Sequence, residues 1–217
     1  MNDSGFNLDE QRVLVTGGSS GIGAAIASRL SNAGATVVVV SRSGAVPESK
    51  RTMYSLVADL SEPEETDTVI ERTVELLGGL DVLVNNAGRG DSMPFVDVNR
   101  DYFNAYVGLN LWAPLRLCQH AYEYLAQSSY PSVVMIGSVD SERPSPGSVV
   151  YGATKAALSA ATVALSKEWM AAGIRVNQVN PGLVDTQLTS EIVSSLKESG
   201  ESINIAGRVG SPDEIAG

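Results

Sequence analysis

The feature that most constrains the fold of this 217-residue chain is a regular alternation of short apolar runs with longer segments of helical spacing. The apolar runs are typical of buried strands, and they cover residues 13–15, 36–40, 55–58, 80–84, 133–136 and 174–179. Apolar positions three and four apart predict helices over residues 22–33, 62–77, 101–127 and 151–172. This order predicts an α/β fold in which a doubly wound parallel sheet is covered by helices on both faces.

We expect one domain over residues 1–217, because no repeat, low-complexity tract or linker divides the chain. Residues 1–10 are expected to form a flexible N-terminus. A short amphipathic helix is predicted over residues 188–199, with Gly200 as its stop. This small helix interrupts the alternation, so it is interpreted either as a lid over a ligand or as a packing helix.

The composition limits the partners of the chain. With 15 Lys+Arg against 25 Asp+Glu the net charge is −10, and there is no basic run, so we expect no nucleic-acid partner. A single Cys118 forms no intrachain disulfide and, with the single His120, offers no zinc ligand set. We therefore expect no metal and a reducing, cytoplasmic location. No run of 18 apolar residues and no signal-peptide pattern occurs, so no membrane association is expected.

A glycine-rich loop follows the first predicted strand and leads directly into a helix. Its spacing, Gly17-x-x-x-Gly21-x-Gly23, allows backbone N–H groups to approach the pyrophosphate of a dinucleotide. No Lys follows, which excludes a nucleoside-triphosphate loop. The loop also matches G-x-S-x-G, the nucleophile elbow of hydrolases, with Ser19 as the nucleophile. That alternative is disfavoured, because its only available base, His120, lies inside a predicted helix.

Cofactor preference is indicated where the second predicted strand ends. A protein that prefers NAD places an acid there to accept hydrogen bonds from the ribose 2′-hydroxyl, whereas a 2′-phosphate needs a cation. Ser41 and Arg42 occupy these positions. They favour the phosphorylated cofactor, although a solvated loop charge is an alternative interpretation of Arg42.

Four polar residues fall where this architecture binds ligands. Tyr151 and Lys155 are four residues apart and share one face of a predicted helix. Ser138 follows the fifth apolar run, at a strand end. Asn110 lies inside the predicted helix 101–127, where an amide is unfavourable unless it is exposed or hydrogen-bonded.

Together these motifs resemble those of the short-chain dehydrogenase/reductase family, whose single-domain members have a Rossmann-type sheet. The resemblance covers nearly the whole chain. Its motifs are Thr16-Gly17-x-x-x-Gly21-Ile22-Gly23, Asp59, Asn85-Asn86-Ala87-Gly88, Asn110, Ser138, Tyr151, Lys155, and Asn180-Pro181-Gly182 followed by Thr186. It implies an oxidoreductase that interconverts a ketone and a secondary alcohol by hydride transfer, with NADP(H) preferred over NAD(H).

The resemblance also implies a catalytic set of Asn110, Ser138, Tyr151 and Lys155. Tyr151 would be the general acid, Ser138 would hydrogen-bond the substrate oxygen, and Asn110 would order a water that relays protons to Lys155. Lys155 would bond the cofactor ribose. A cation about 4 Å from the phenol, at an effective dielectric near 20, would also lower its pKa by roughly three units.

The cofactor-binding residues that the resemblance implies lie in the loops after the strands. Asp59 would contact the adenine, and Val184 and Thr186 the nicotinamide end. The full set is Gly17, Ser19, Ser20, Gly21, Ile22, Ser41, Arg42, Asp59, Leu60, Asn86, Ala87, Gly88, Tyr151, Lys155, Pro181, Gly182, Val184 and Thr186.

The expected partners are a small-molecule carbonyl or alcohol and further copies of the chain, as a dimer or tetramer. The family continues past residue 217 with the rest of a helix and a seventh strand, so we expect a longer natural protein. Segments 89–95, 139–150 and 183–206 would form a largely apolar pocket, with Arg89 and Arg143 as isolated cations. A 3-oxoacyl-(acyl carrier protein) reductase and a sugar or polyol dehydrogenase are alternatives within the family. A catalytically idle protein that senses NADP(H) is the alternative from another class.

Overall fold

One parallel sheet of six strands organises the chain. The computed structural model describes residues 7–199 and 207–217. The strand order is β3-β2-β1-β4-β5-β6, with every pair parallel. The strands are β1 Arg12–Thr16, β2 Thr36–Ser41, β3 Tyr54–Val57, β4 Val82–Asn85, β5 Ser132–Ile136 and β6 Arg175–Val179. The expected α/β fold, a doubly wound Rossmann-type sheet, is confirmed.

Helices cover both faces of the sheet. They are α1 Gly21–Asn32, α2 Pro63–Leu77, α3 Arg100–Val107, α4 Ala113–Leu125, α5 Val149–Glu168, α6 Ser190–Ser199 and α7 Pro212–Ala216. Alternate residues of β1 point to opposite faces: Leu14 packs in the core under α2 and α4, and Val13 and Val15 pack in a second core under α1. Because both faces of the central strands β1, β2 and β4 are buried, these strands are nearly continuous apolar runs, whereas β6 at the side of the sheet alternates exposed and buried residues at its start.

The predicted helix 101–127 is interrupted. A π-helical turn, Gly108–Trp112, separates α3 from α4, and its last bond runs from the Ala113 N–H to the Gly108 carbonyl. Pro114 follows in the first turn of α4, and it has no N–H to donate to the Asn110 carbonyl four residues earlier. Asn110 is buried inside the turn, a position in which π-bulges often carry functional residues.

Some predicted features fall partly outside the described residues. Of the expected flexible segment 1–10, residues 1–6 lie outside, and the Leu8 N–H donates to the Ala33 carbonyl at 2.9 Å. The expected helix stop at Gly200 and the pocket residues 200–206 also lie outside. The helix 188–199 is present as α6 behind a 3-10 turn, Gln187–Thr189.

One helix among the described residues is long and apolar enough to cross a membrane. It is Val149–Ala172, with a mean hydropathy of 1.2 over its most apolar window. Core helices of soluble proteins meet the same criterion, and Leu158 and Trp169 of this segment are buried in the core. A single helix of this kind is weak evidence for a membrane span.

Candidate functional site

The sequence-predicted site residues converge at the carboxyl edge of the sheet. The strand order reverses between β1 and β4, and this is the point where open α/β sheets bind ligands. The glycine loop leaves β1 here, residues 86–91 leave β4, and Ser138 follows β5. Because the strands are parallel, these three segments lie side by side.

The loop from β1 to α1 is shaped for an anion. Gly17 has a φ of 63°, and a methyl group in its place would lie 2.9 Å from Asn86 Nδ2. Gly23 packs so closely that a methyl group would lie 2.3 Å from the Gly17 carbonyl oxygen. The Ser20 side chain does not cap α1, and the first turn of this helix contains no acid, so its N-terminal N–H groups are suited to an anion.

Thr16, at the end of β1, connects the glycine loop to the segment that follows the neighbouring strand β4. Its Oγ1 accepts hydrogen bonds from the backbone N–H groups of Asn86 and Ala87, at 2.9 and 3.0 Å. Asn86 returns two bonds from Nδ2, to the carbonyls of Thr16 and Gly17. Sequence reasoning did not place Thr16 among the site residues, because a Thr at a strand end shows its partners only once β1 and β4 are neighbours.

The residues expected near the adenosine end lie after β2 and β3. Arg42 is exposed, and its charge contributes to lowering the pKa of Asp59, although a hydrogen bond from Ser61 is the main cause. The Ser41 side chain is buried and accepts the Gly44 N–H at 3.1 Å. Leu60 is only 6% exposed and packs in the core. Its side chain therefore anchors the loop after β3 to the core.

Tyr151, Lys155 and Ser138 form the centre of the candidate site. Lys155 Nζ lies 5.8 Å from the centre of the Tyr151 ring, one turn away on α5. Lys155 is 5% exposed, and its ammonium donates to the Ile136 carbonyl at 2.8 Å. Burial raises the pKa of the Tyr151 phenol, and hydrogen bonding with Ser138 opposes that rise.

The expected lowering of the phenol pKa by Lys155 is wrong for this structure. Burial of Tyr151 is the largest influence on its pKa, and the nearby Asp140 charge acts in the same direction. Burial also lowers the pKa of Lys155 to about 8, so the ammonium is itself destabilised.

Asn110 connects α3 and α4 to the loop after β4 and to α5. Its Oδ1 accepts the Arg89 N–H and its Nδ2 donates to the Arg89 carbonyl, both at 2.9 Å. Nδ2 also lies 3.4 Å from Thr154 Oγ1. A methyl group at Gly88 would contact both Asn110 Oδ1 and Lys155 Nζ, so these two side chains face the same small volume.

Residues after β6 close the site from the other side. A methyl group at Gly21 would lie 3.3 Å from Thr186 Cγ2, so the loop after β6 faces the glycine loop across a narrow crevice. Val184 is buried, whereas Gly182 is exposed and has nothing within 4 Å of its missing methyl position. Pro181 is buried and accepts the Val139 N–H through its carbonyl at 3.0 Å.

The family model described as short chain dehydrogenase matches residues 11–197. The chain belongs to the short-chain dehydrogenase family. An uncharacterised oxidoreductase of Staphylococcus epidermidis is 33% identical over 93% of this chain and 90% of its own length. The chain is therefore an oxidoreductase of this family.

Two solved structures, the first of them described as a short-chain dehydrogenase, resemble the chain throughout. One from Burkholderia cenocepacia, in complex with NADP, has a TM-score of 0.83 and 31% identity, and the match covers 97% of this chain and 89% of that one. A 3-oxoacyl (acyl-carrier-protein) reductase from Agrobacterium tumefaciens with NADP bound has a TM-score of 0.87 and 30% identity, over 97% and 86%.

The hydrolase alternative gains no support in this short-chain dehydrogenase. His120 Nε2 lies 3.3 Å from Asp67 Oδ1, between α4 and α2. Among the described residues, no hydrogen bond joins His120 to Ser19. Ser19 lies in the loop before α1 and His120 lies on α4, where its ring contacts Asp67, so the two residues do not form the hydrogen-bonded pair that a hydrolase needs.

Two further expectations concern charges and metals in the short-chain dehydrogenase. The view of Arg89 as an isolated cation is wrong, because its guanidinium pairs with Asp91 at 3.1 Å and lies over the rings of Tyr102 and Tyr106.

Over residues 7–199 and 207–217, no group of three or more His, Cys, Asp or Glu is placed to hold a metal ion.

Proposed function

We propose that this protein is an NADP(H)-dependent oxidoreductase that interconverts a ketone and a secondary alcohol, with Tyr151 as the general acid and base. The observation that carries the proposal is the grouping of Tyr151, Lys155 and Ser138 beside a glycine loop that can hold a dinucleotide. Hydride addition to a carbonyl builds negative charge on its oxygen, so a proton donor and a hydrogen-bond donor are needed at one place.

The residues of the crevice fit a dinucleotide. The positive φ of Gly17 and Gly21 shapes the loop, and the uncapped start of α1 offers backbone N–H groups to a pyrophosphate. Thr186 lies opposite this loop, where a methyl group on Gly21 would be 3.3 Å from its Cγ2. The nicotinamide cofactor, when bound, supplies or accepts the hydride.

In this mechanism the protein's own residues position the substrate and move a proton. Ser138 Oγ holds the substrate oxygen against the phenol. Tyr151 Oη donates the proton to that oxygen in reduction and removes it in oxidation. Burial raises the phenol pKa, so Tyr151 carries at neutral pH the proton that reduction consumes. The Lys155 ammonium contributes positive charge beneath the developing oxyanion and a donor for a ribose hydroxyl.

A preference for NADP(H) over NAD(H) is part of the proposal. Arg42 is exposed at the end of β2, and Ser41 stands where an NAD-preferring protein has an acid. The NADP found in two similar structures supports the same assignment. The cation would pair with the 2′-phosphate, which NADP has and NAD lacks.

The same proposal includes self-association as a dimer or tetramer in the cytoplasm. Helices α3 and α5 are neighbours, and large apolar side chains on them and on the π-helical turn are exposed. Phe103, Trp112 and Val163 are each about half exposed, and burial of such side chains favours association. Size-exclusion chromatography with light scattering tests this part, and a monomer at micromolar concentration would contradict it.

The experiment that tests the function is nicotinamide oxidation, followed by absorbance, with NADPH and with NADH. The panel contains ketones, diketones, keto-sugars and 3-oxoacyl thioesters, so that it separates a general ketone reductase from the acyl-carrier and sugar alternatives. NADPH-dependent turnover is expected. Binding of NADPH without turnover of any panel member would contradict the reductase and favour the sensing protein.

A further inference from the structure

The loop after β4 is fixed at several points beside Tyr151. Arg89 is held through both backbone groups by the Asn110 amide. The Asp91 N–H donates to Tyr106 Oη at 2.7 Å, and that hydroxyl lies 2.8 Å from Asp91 Oδ1. The backbone between residues 89 and 91 is therefore clamped at both ends.

The clamp is anchored by a buried tyrosine, and its two charges, Arg89 and Asp91, are paired with each other although both side chains are partly exposed. Tyr106 is fully buried, and its ring meets the Tyr151 ring edge to face, with 6.4 Å between the ring centres. The Arg89 guanidinium lies 4.7 Å from the centre of the Tyr106 ring and pairs with Asp91. Because the cation is already paired and stacked, this wall of the site does not favour an anionic substrate group.

Gly90 lies at the centre of the clamped segment, and its missing side chain leaves a small space next to the reacting groups. A methyl group there would lie 3.4 Å from Tyr151 Cε2 and 3.5 Å from Leu188 Cδ2. Cε2 is bonded to the carbon that carries the phenol hydroxyl. The space therefore adjoins the position of the substrate carbonyl, and its walls are an aromatic edge and an aliphatic methyl group.

We infer that Gly90 determines substrate size: its missing side chain admits an apolar substituent of two or more carbons on the carbonyl carbon, beside Tyr151. The inference deepens the proposed function and rests on it. The clamp is the reason, because a backbone held at residues 89 and 91 cannot move away from a side chain added between them. Such a side chain would occupy the space that the substituent needs.

The test compares propanone, 3-pentanone and 4-heptanone as substrates of the unaltered protein and of Gly90→Ala, with NADPH. These ketones are symmetrical, so a larger group must enter the space in either orientation. Gly90 has no positive φ, and the added methyl makes contacts of ordinary van der Waals length, so the variant is expected to fold. Its kcat/KM for 3-pentanone relative to propanone should fall about tenfold or more.

Matched variants separate this effect from a general loss of activity. Gly108→Ala adds a methyl group with nothing within 4 Å, at a helical φ of −57°, and should leave the ketone ratio unchanged. Tyr106→Phe in the Gly90→Ala background removes the hydroxyl that holds Asp91. It should restore at least part of the lost ratio, because the loop can then yield. Thermal unfolding and NADPH binding, measured for every variant, report folding separately.

The results separate the inference about Gly90 from the proposed reductase function. An equal loss for all three ketones in Gly90→Ala, or no restoration in the double variant, would overturn the inference. The inference would also be overturned if the unaltered protein reduced propanone but not 3-pentanone, or if it reduced other panel members but no dialkyl ketone. In both of these cases the proposed function would stand. Unaltered protein that oxidises neither nicotinamide with any compound would overturn both.

Discussion

The Lys155 ammonium donates a 2.8 Å hydrogen bond to the Ile136 carbonyl, at the end of the strand that leads to Ser138. This bond holds the Lys155 side chain, which extends from α5, against the carboxyl end of β5. The ammonium is also buried away from water, and that burial lowers its pKa to about 8. Burial of the charged lysine therefore lowers the free energy of unfolding, and this destabilisation depends on pH.

The destabilisation caused by the buried Lys155 ammonium leads to a prediction about stability at alkaline pH. Between about pH 8 and 10.5 the unfolded chain holds a proton that the folded chain has lost, so Lys155 makes stability rise with pH in that window. The free energy of unfolding, relative to Lys155→Met, should rise by about 2 kcal/mol between pH 7.5 and 9.5. Urea unfolding at both pH values measures it. Lys167→Met, at an exposed position of the same helix, is the control, and a flat difference for Lys155→Met would contradict the prediction.

Cofactor preference should depend on Arg42. The substitution Arg42→Asp replaces a partner for the 2′-phosphate with an acceptor for the 2′-hydroxyl, and it adds a second carboxylate close to Asp59. The ratio of kcat/KM with NADPH to that with NADH should fall about tenfold or more. Arg175→Asp, at the opposite end of the sheet, controls for the change of net charge. The assignment fails if the ratio in Arg42→Asp equals that of the unaltered protein.

Stability at acid pH should depend on Asp81, which lies just before β4, at the amino ends of the strands and away from the candidate site. Its carboxylate is bound by the Arg12 side chain and by Ser128 Oγ, and the hydrogen bonds lower its pKa to about 2 despite burial. This stabilisation is present above pH 3.8 and is lost as the pH falls through about 2. Because the Arg12 side chain is 32% exposed, solvent screening limits the contribution to about 1 kcal/mol.

The measurement for Asp81 is thermal unfolding between pH 2 and 6. Asp81→Asn should be less stable at pH 6 and should lose less stability on acidification than the unaltered protein. Asp67→Asn, which alters an exposed ion pair with Arg116, should change neither quantity much. Parallel curves for Asp81→Asn and the unaltered protein would show that the carboxylate charge does not stabilise the fold.

The sheet could be predicted from the sequence because its central strands are buried on both faces, so that runs such as residues 13–15 are wholly apolar. The break in the helix 101–127 could not be predicted from local spacing alone. It depends on Pro114 together with contacts of Asn110 to Arg89 and Thr154, which are 21 and 44 residues away in the chain. Periodicity carries no information about such partners.

The same limit applies to the site. The spacing of Tyr151 and Lys155 correctly places both residues on one face of α5, since a helix repeats every 3.6 residues. The pairing of Arg89 with Asp91 and the clamp through Tyr106 depend on tertiary packing, so Arg89 was misinterpreted as an isolated cation. The catalytic and cofactor-binding roles of the motif residues stay predictions.

The central claim is that Tyr151 transfers the proton, and Tyr151→Phe tests it most directly. The measurement is the rate of NADPH oxidation with a ketone substrate, together with NADPH affinity from fluorescence titration. The account predicts an affinity within a few-fold of the unaltered protein and a reduction rate lower by about a thousandfold or more. Tyr130→Phe, which removes a hydroxyl from a 67% exposed side chain, should leave both values unchanged. A Tyr151→Phe protein that binds NADPH and reduces the ketone at nearly the normal rate would contradict the account.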